Sequence, residues 1–226
     1  MSWKKKCLEN FRLYAITDIK AEDPKILSKI SEALRGGATI IQLRSKMLSD
    51  DALIKLGKKI REITQKFKAL FIVNDRVDLM LAIDADGVHL GQNDLSIKSA
   101  RRIMARSDQI IGRSTHSLNQ AVIAERQGAD YIGFGPIFET PTKPAYQPVG
   151  LDDISEIMKR IKIPVVCIGG IDHSNVKEVI QAGARRIAVV RAIFSAADTY
   201  RAARELNVIL RRSRRISVAD PSLRSG

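Results

Sequence analysis

The sequence predicts a single (β/α)8 barrel, and three observations carry that reading. Short runs rich in Val, Ile and Leu recur eight times along the chain, and each is followed by a segment long enough for a helix. Apolar strands separated by helices imply parallel pairing through βαβ crossovers, and eight such units close a barrel. The unusual polar residues collect just after the apolar runs, and in a barrel the loops after the strands share one face.

The elements follow in order. LYAIT (13–17) precedes a helix that Asp23-Pro24 opens and Gly36-Gly37 ends, with Pro in the first turn and Gly past the last. TIIQL (39–43) leads to a helix capped by Ser49 or Asp50, in which Leu53, Leu56, Ile60 and Ile63 repeat at helical spacing. LFIV (70–73) is followed by a short helix over 77–83, and GVHL (87–90) by one that Ser96 caps. QIIG (109–112) leads to a helix that Ser117 caps and Gly128 closes. YIGF (131–134) opens onto the longest connection, about 135–150, with four prolines, before a helix beginning at Asp152 or Asp153. Structureless stretches of that size in a compact domain are commonly functional. PVVCI (164–168) precedes a helix from Ser174 to Gly183, and RIAVV (186–190) one from about Ala192 to Arg212. Gly37-Ala38, Gly128-Ala129 and Gly183-Ala184 read as one helix-to-strand turn used three times. The segment before Leu13 is left without an element. The barrel is assigned to residues 1–210, and the Arg-rich residues 211–226 are expected to form a flexible basic tail.

Composition sets the class. At 226 residues the chain is of ordinary length for one α/β barrel, and 45% hydrophobic with 28% charged residues describes a globular protein. No apolar run approaches the roughly 20 residues that cross a bilayer, and the basic start lacks a signal's apolar stretch, so a cytoplasmic protein is expected. Cys7 and Cys167 offer neither a disulfide framework nor paired metal-ligand spacing. The net charge of +13 raises nucleic acid as a partner, but aromatics are only 5% and the basic residues are spread over helices and the tail. A basic field also favours an anionic small molecule.

The polar residues after the strands supply the chemistry. Gln42, Arg44 and Lys46 alternate at the end of the second run, placing an amide, a planar fork and a point charge where phosphate oxygens can be held; a solvated loop would carry the same residues. Asn74 and Asp75 follow the third run and Asp94 the fourth. Two carboxylates on consecutive strand ends can share one Mg²⁺ with positions left for waters and phosphate oxygens, although Asp there also caps helices. Thr140, Thr142 and Lys143 put two hydroxyls and an amine on a Pro-stiffened loop, which suits a diphosphate. Gly169, Gly170 and Arg191 end the seventh and eighth runs, where barrels often bind phosphate through backbone amides. His89 is expected as a satisfied interior residue, and His116 stands open as an acid or base.

Gln42-Leu-Arg-Ser-Lys46, Val73-Asn-Asp-Arg76, Gly87-Val-His-Leu-Gly-Gln-Asn-Asp94, Gly133-Phe-Gly-Pro136, Thr140-Pro-Thr-Lys143 and Ile168-Gly-Gly-Ile171 together resemble the thiamine phosphate synthase family, over about residues 11–200. The resemblance implies that a pyrimidine carrying a diphosphooxymethyl group is joined to a thiazole phosphate with loss of diphosphate, with Mg²⁺ on Asp75 and Asp94. It implies a diphosphate set of Arg44, Ser45, Lys46, Asn74 and Lys143, with Gln42, Leu43 and Ser114 on the pyrimidine side. It gives the catalytic roles to Arg44, Lys46, Ser114 and Lys143. Thr140, Pro141, Thr142, Gly170, Val190 and Arg191 take the thiazole phosphate, with the two threonine hydroxyls also reaching the diphosphate. Many relatives carry Ser in place of Arg191, so its side chain is given no role. Gly112-Arg-Ser-Thr-His-Ser117 resembles a phrase of the sibling thiazole tautomerases, whose His transfers protons; that is the alternative, through His116. The expected partners are these small molecules, with no membrane and no nucleic acid, and with self-association left open.

Overall fold

Parallel strands β1 (Leu13–Ile16), β2 (Ile40–Leu43), β3 (Leu70–Asn74), β4 (Gly87–Leu90), β5 (Ile110–Thr115), β6 (Tyr131–Phe134), β7 (Val165–Ile168) and β8 (Ile187–Val189) close a barrel in sequence order. β8 pairs back onto β1 through Tyr14 and Ala188. The computed structural model describes residues 3–20, 23–104, 106, 108–140 and 147–219. Six of the eight apolar runs contain their strand, while β3 and β5 start within theirs and run on to Asn74 and Thr115.

The strands are apolar on both faces because both faces are buried. Ile41, Phe71, Val88, Ile111, Ile132 and Cys167 point outward into the layer beneath the helices. Ile40, Leu70, Ile72, Ile110, Tyr131 and Val166 fill the barrel in a separate cluster. The outer layer consists of α2 (Ile26–Gly36), α3 (Asp50–Lys66), α4 (Val77–Ala82), α5 (Ile97–Ile103), α6 (Leu118–Arg126), α7 (Asp152–Arg160), α8 (Val176–Gln181), α9 (Arg191–Phe194) and α10 (Thr199–Ala219). Ser49, Ser96 and Ser117 cap α3, α5 and α6 through their hydroxyls, as expected. Among the described residues no helix is long and apolar enough to cross a membrane.

The thrice-used turn is present and is used twice more. Gly37 N–H donates to the Leu34 carbonyl and Ala38 N–H to that of Ala33, both at 3.0 Å. Gly128-Ala129 and Gly183-Ala184 repeat the pattern, and so do Lys68-Ala69 and Asp84-Ala85 without glycine. This is a Schellman cap, whose penultimate residue must be left-handed; φ is +110° at Gly37, +51° at Lys68 and +49° at Asp84.

Two expectations are corrected. The leading segment forms a helix, α1 (Trp3–Asn10). Leu8 and Phe11 join the interior cluster, while buried Lys4 places Nζ 3.3 Å from Asp86 and 3.1 Å from Asp108. Asp86 precedes β4, lies 2.7 Å from Arg61, and accepts the Phe71 N–H at 2.9 Å. α1 therefore closes the end of the barrel opposite the strand C-termini. The single final helix is instead two, α9 and α10, interrupted at 195–198, and α10 continues to Ala219 into the segment read as a tail. Residues 220–226 lie outside the described residues.

Candidate active site

A cavity of about 380 Å³ lies at the C-terminal ends of the strands. Its first wall comes from β2, β3 and the residues after them: Gln42, Arg44, Asn74 and Asp75. Arg44 is 7% exposed, and its guanidinium pairs with Asp18 from the loop after β1. Thr17 tightens the same corner, its hydroxyl accepting the Arg44 N–H at 2.9 Å. The cation is thus fixed before any ligand arrives. Asp75 has φ +63°, and its N–H donates to the His89 carbonyl at 2.8 Å.

The opposite wall is built from backbone. Gly169 and Gly170 follow β7, Val190 and Arg191 follow β8, and Thr140 reaches in from the long connection. Ile137 N–H donates to the Ile168 carbonyl at 2.9 Å and Phe138 N–H to that of Gly169 at 3.0 Å, which lays that connection against the glycines. Gly170 has φ +65°, and a Cβ there would sit 2.7 Å from both the Glu139 carbonyl and Phe138 Cβ. Only glycine fits such an approach.

The floor is polar, with Gln42, Tyr14 and Tyr131 buried and His89 and Ser114 half-buried at its cavity side. Gln42 Nε2 donates to the Tyr14 hydroxyl at 2.6 Å, and the Tyr14 and Tyr131 hydroxyls are 3.0 Å apart. His89 Nδ1 lies 3.0 Å from the Tyr131 hydroxyl, and His89 Nε2 3.0 Å from Ser114 Oγ. Burial raises both phenol pKa values, with their mutual contact a smaller influence. Gly112 leaves room for the Tyr131 ring, since a Cβ there would fall 2.1 Å from Cζ.

The structure sorts the predicted residues. Gln42, Arg44, Asn74, Asp75, Ser114, Thr140, Gly170, Val190 and Arg191 all line the one cavity, and so does His116, whose Nδ1 is bonded to the Gly135 carbonyl. Lys46 does not share this wall with Arg44. β2 ends at Leu43, so the strand alternation stops, and Lys46 lines a smaller neighbouring cavity of about 160 Å³ to which Asn74 also contributes. Leu43 packs in the outer core. Ser45 Oγ donates to the Ile19 carbonyl at 2.7 Å and accepts from Met47 and Leu48, shaping the Lys46 loop. Asp94 follows β4 on the loop beside Asp75 and accepts the Gly91 N–H at 2.6 Å, but does not line the main cavity. Pro141, Thr142 and Lys143 lie outside the described residues. His89 is the satisfied interior histidine expected. Tyr14, Tyr131 and Asp18 belong to none of the sequence motifs; a tyrosine at an inward strand position needs a buried partner for its hydroxyl, which is the signal that marks the two tyrosines.

A closed parallel barrel whose main cavity opens at the C-terminal ends of its strands, with an ion-paired arginine on one wall and glycine backbone on the other, has the layout of the (β/α)8 enzymes. The profile of the thiamine monophosphate synthase family matches residues 13–193, and the chain belongs to that family. It is similar to the thiamine-phosphate synthase of Pyrococcus abyssi, 46% identical over 202 residues that cover 89% of this chain and 96% of that protein. Its likeness to the thiamine-phosphate synthase of Thermosynechococcus vestitus is 43% over 215 residues, 95% of this chain but 58% of that longer protein. A solved thiamine phosphate pyrophosphorylase from Pyrococcus furiosus matches with TM-score 0.82 and 41% identity, covering 92% of this chain and 98% of that one.

Proposed function

We propose that the chain acts as a thiamine phosphate synthase, a transferase that joins 4-amino-2-methyl-5-(diphosphooxymethyl)pyrimidine to a thiazole phosphate and releases diphosphate, in the cytoplasm. The carrying observation is one cavity with two chemically different walls in a chain of this family. The C–O bond to the diphosphate breaks first, and its electron pair leaves with the diphosphate oxygen. The thiazole nitrogen then gives its lone pair to the electron-poor methylene carbon, forming the C–N bond. No protein nucleophile takes part.

Charge grows on the departing diphosphate, so groups aimed there lower the barrier. Arg44, held by Asp18, is the preset donor; Asn74, Lys46 from the adjoining cavity, and Lys143 complete the set, with Ser45 shaping the Lys46 loop and Leu43 backing it. Gln42 and Ser114 hold the pyrimidine. Gly170, Val190 and Arg191, with Thr140, Pro141 and Thr142, take the thiazole phosphate.

Asp75 and Asp94 suit Mg²⁺, being hard oxygen donors on adjacent loops, with one Asp94 oxygen already anchored to Gly91. Mg²⁺ commonly takes only one or two carboxylates and fills its remaining positions with waters and substrate phosphate oxygens. Bound there, it would neutralise diphosphate charge. Supplying both substrates with and without Mg²⁺ tests the reading: thiamine phosphate and diphosphate should form in equal amounts, and only with the metal. No product in its presence overturns the reading. A second reading, thiazole tautomerisation, draws on His116 in the cavity wall. Full coupling by His116→Ala, with no tautomerase activity in the parent, removes it.

A further inference from the structure

The floor of the cavity is a hydrogen-bonded chain with a direction. Gln42 Nε2 donates to the Tyr14 hydroxyl at 2.6 Å, which leaves the Tyr14 proton for the Tyr131 hydroxyl at 3.0 Å. Burial keeps both phenols protonated, so each has one hydrogen to give. Tyr131 accepts from Tyr14 and turns its own proton to His89 Nδ1 at 3.0 Å. An accepting Nδ1 puts the proton of the neutral ring on Nε2, which donates to Ser114 Oγ at 3.0 Å. Ser114 then directs its proton into the cavity it lines. At the other end, the contact with Tyr14 uses one hydrogen of the Gln42 amide and fixes its plane, which leaves the carbonyl oxygen to accept beside one remaining N–H.

The direction belongs to the whole chain. Turning the Gln42 amide over would require Tyr14 to donate to it, Tyr131 to donate to Tyr14, His89 to move its proton to Nδ1, and Ser114 to donate to Nε2. Gln42, Tyr14 and Tyr131 are buried, and none of these three can reverse alone without leaving a buried group unpaired, which costs about 1–3 kcal/mol.

We propose that Tyr14, Tyr131 and His89 are positioning residues that lock Ser114 as a donor and Gln42 as an acceptor, so that the cavity selects an aminopyrimidine over its oxo counterpart. The amino group gives a hydrogen to the Gln42 oxygen and an unprotonated ring nitrogen accepts from Ser114, whereas an oxo group has no hydrogen to give that oxygen and its ring N–H meets the Ser114 donor. For the identity of the substrate this rests on the proposed synthase reaction; for the direction of the chain it rests on the geometry alone.

Two measurements test it. In ¹⁵N spectra of the full chain, His89 should carry a proton on Nε2 and leave Nδ1 as the acceptor, and a ring with its proton on Nδ1 overturns the proposal whatever reaction the protein performs. In coupling assays with amino- and oxo-pyrimidinylmethyl diphosphates, the parent should prefer the amino compound by at least about a hundredfold in kcat/KM. Tyr131→Phe keeps the ring and cuts the chain, so the preference should fall about tenfold, equivalent to about 1.4 kcal/mol. The loss should come through KM for the pyrimidine, with KM for the thiazole phosphate unchanged. Tyr14→Phe cuts the chain elsewhere and should act alike, which covers a Tyr131 variant that fails to fold. An undiminished preference in either folded variant overturns the proposal. Absence of coupling with both compounds would instead sink the synthase reading while the His89 spectrum still decides the chain.

Discussion

Asp75 holds φ +63°, a left-handed conformation that costs a non-glycine residue about 1–2 kcal/mol. The His89 carbonyl ties its N–H at 2.8 Å, so the strand β4 next door maintains the bend. If that backbone serves to present a carboxylate, Asp75→Ala should lower coupling by about a hundredfold or more with the fold intact by circular dichroism. On the role proposed for Lys143, Lys143→Ala should do the same, and near-normal turnover in both variants would end the assignment. Gly112 is the steric counterpart. A Cβ 2.1 Å from Tyr131 Cζ cannot be accommodated in place, so Gly112→Ala should cost about 1–3 kcal/mol, read as a lower urea midpoint; an unchanged midpoint would show that the ring has another place to go. The rim residues were legible from sequence because they sit directly after apolar runs. The floor was not, since its contacts join positions as far apart as Tyr14 and Tyr131, 117 residues along the chain, and local periodicity carries no information about such pairs.

Helix-to-strand turns show the same boundary between what a pattern reveals and what packing decides. Gly-Ala marked three of the Schellman caps, but the same hydrogen bonds form at Lys68-Ala69, where Lys68 N–H reaches the Gln65 carbonyl at 3.1 Å and Ala69 N–H that of Thr64 at 2.9 Å. Burial of the following alanine is common to both kinds: Ala69 and Ala129 are 3% and 6% exposed. Lys68 itself is exposed and left-handed. Lys68→Gly should therefore stabilise the fold by up to about 1 kcal/mol, a rise of about 2–4 °C in Tm for a chain of this size. Calorimetry that shows a fall would mean that the Lys68 side chain contributes more than its backbone conformation costs. The strands were readable because burial on both faces makes them continuous apolar runs. α1 was not, because WKKKCLEN gives a helix little to propagate on by itself, and its formation depends on Leu8 and Lys4 reaching the barrel end.

At the scale of the whole barrel, double-sided burial also sets how stability responds to base. Cys167 lies on the outward face of β7 under the helices, and burial pushes its thiol up to about 12; burial raises Cys7 and the phenols of Tyr14 and Tyr131 as well. A raised folded-state pKa means that the unfolded chain loses its proton first, so stability is fully present below the unfolded value and is lost as pH rises toward the folded one. For thiols that loss begins near pH 8.5 and for phenols near pH 10, at up to about 1.4 kcal/mol per pH unit for each group. Urea midpoints should hence be flat from pH 7 to about 8.5 and then fall, with a steeper fall above about pH 10. Cys167→Ala removes one of the thiols while leaving Tyr14 and Tyr131 in the barrel, so it should flatten the first stage, keep the second, and start from a lower midpoint because a buried side chain has been shortened. A parent midpoint that stays level through pH 10.5 would show that these groups gain access to water without unfolding, and the barrel interior would then be open from one of its ends.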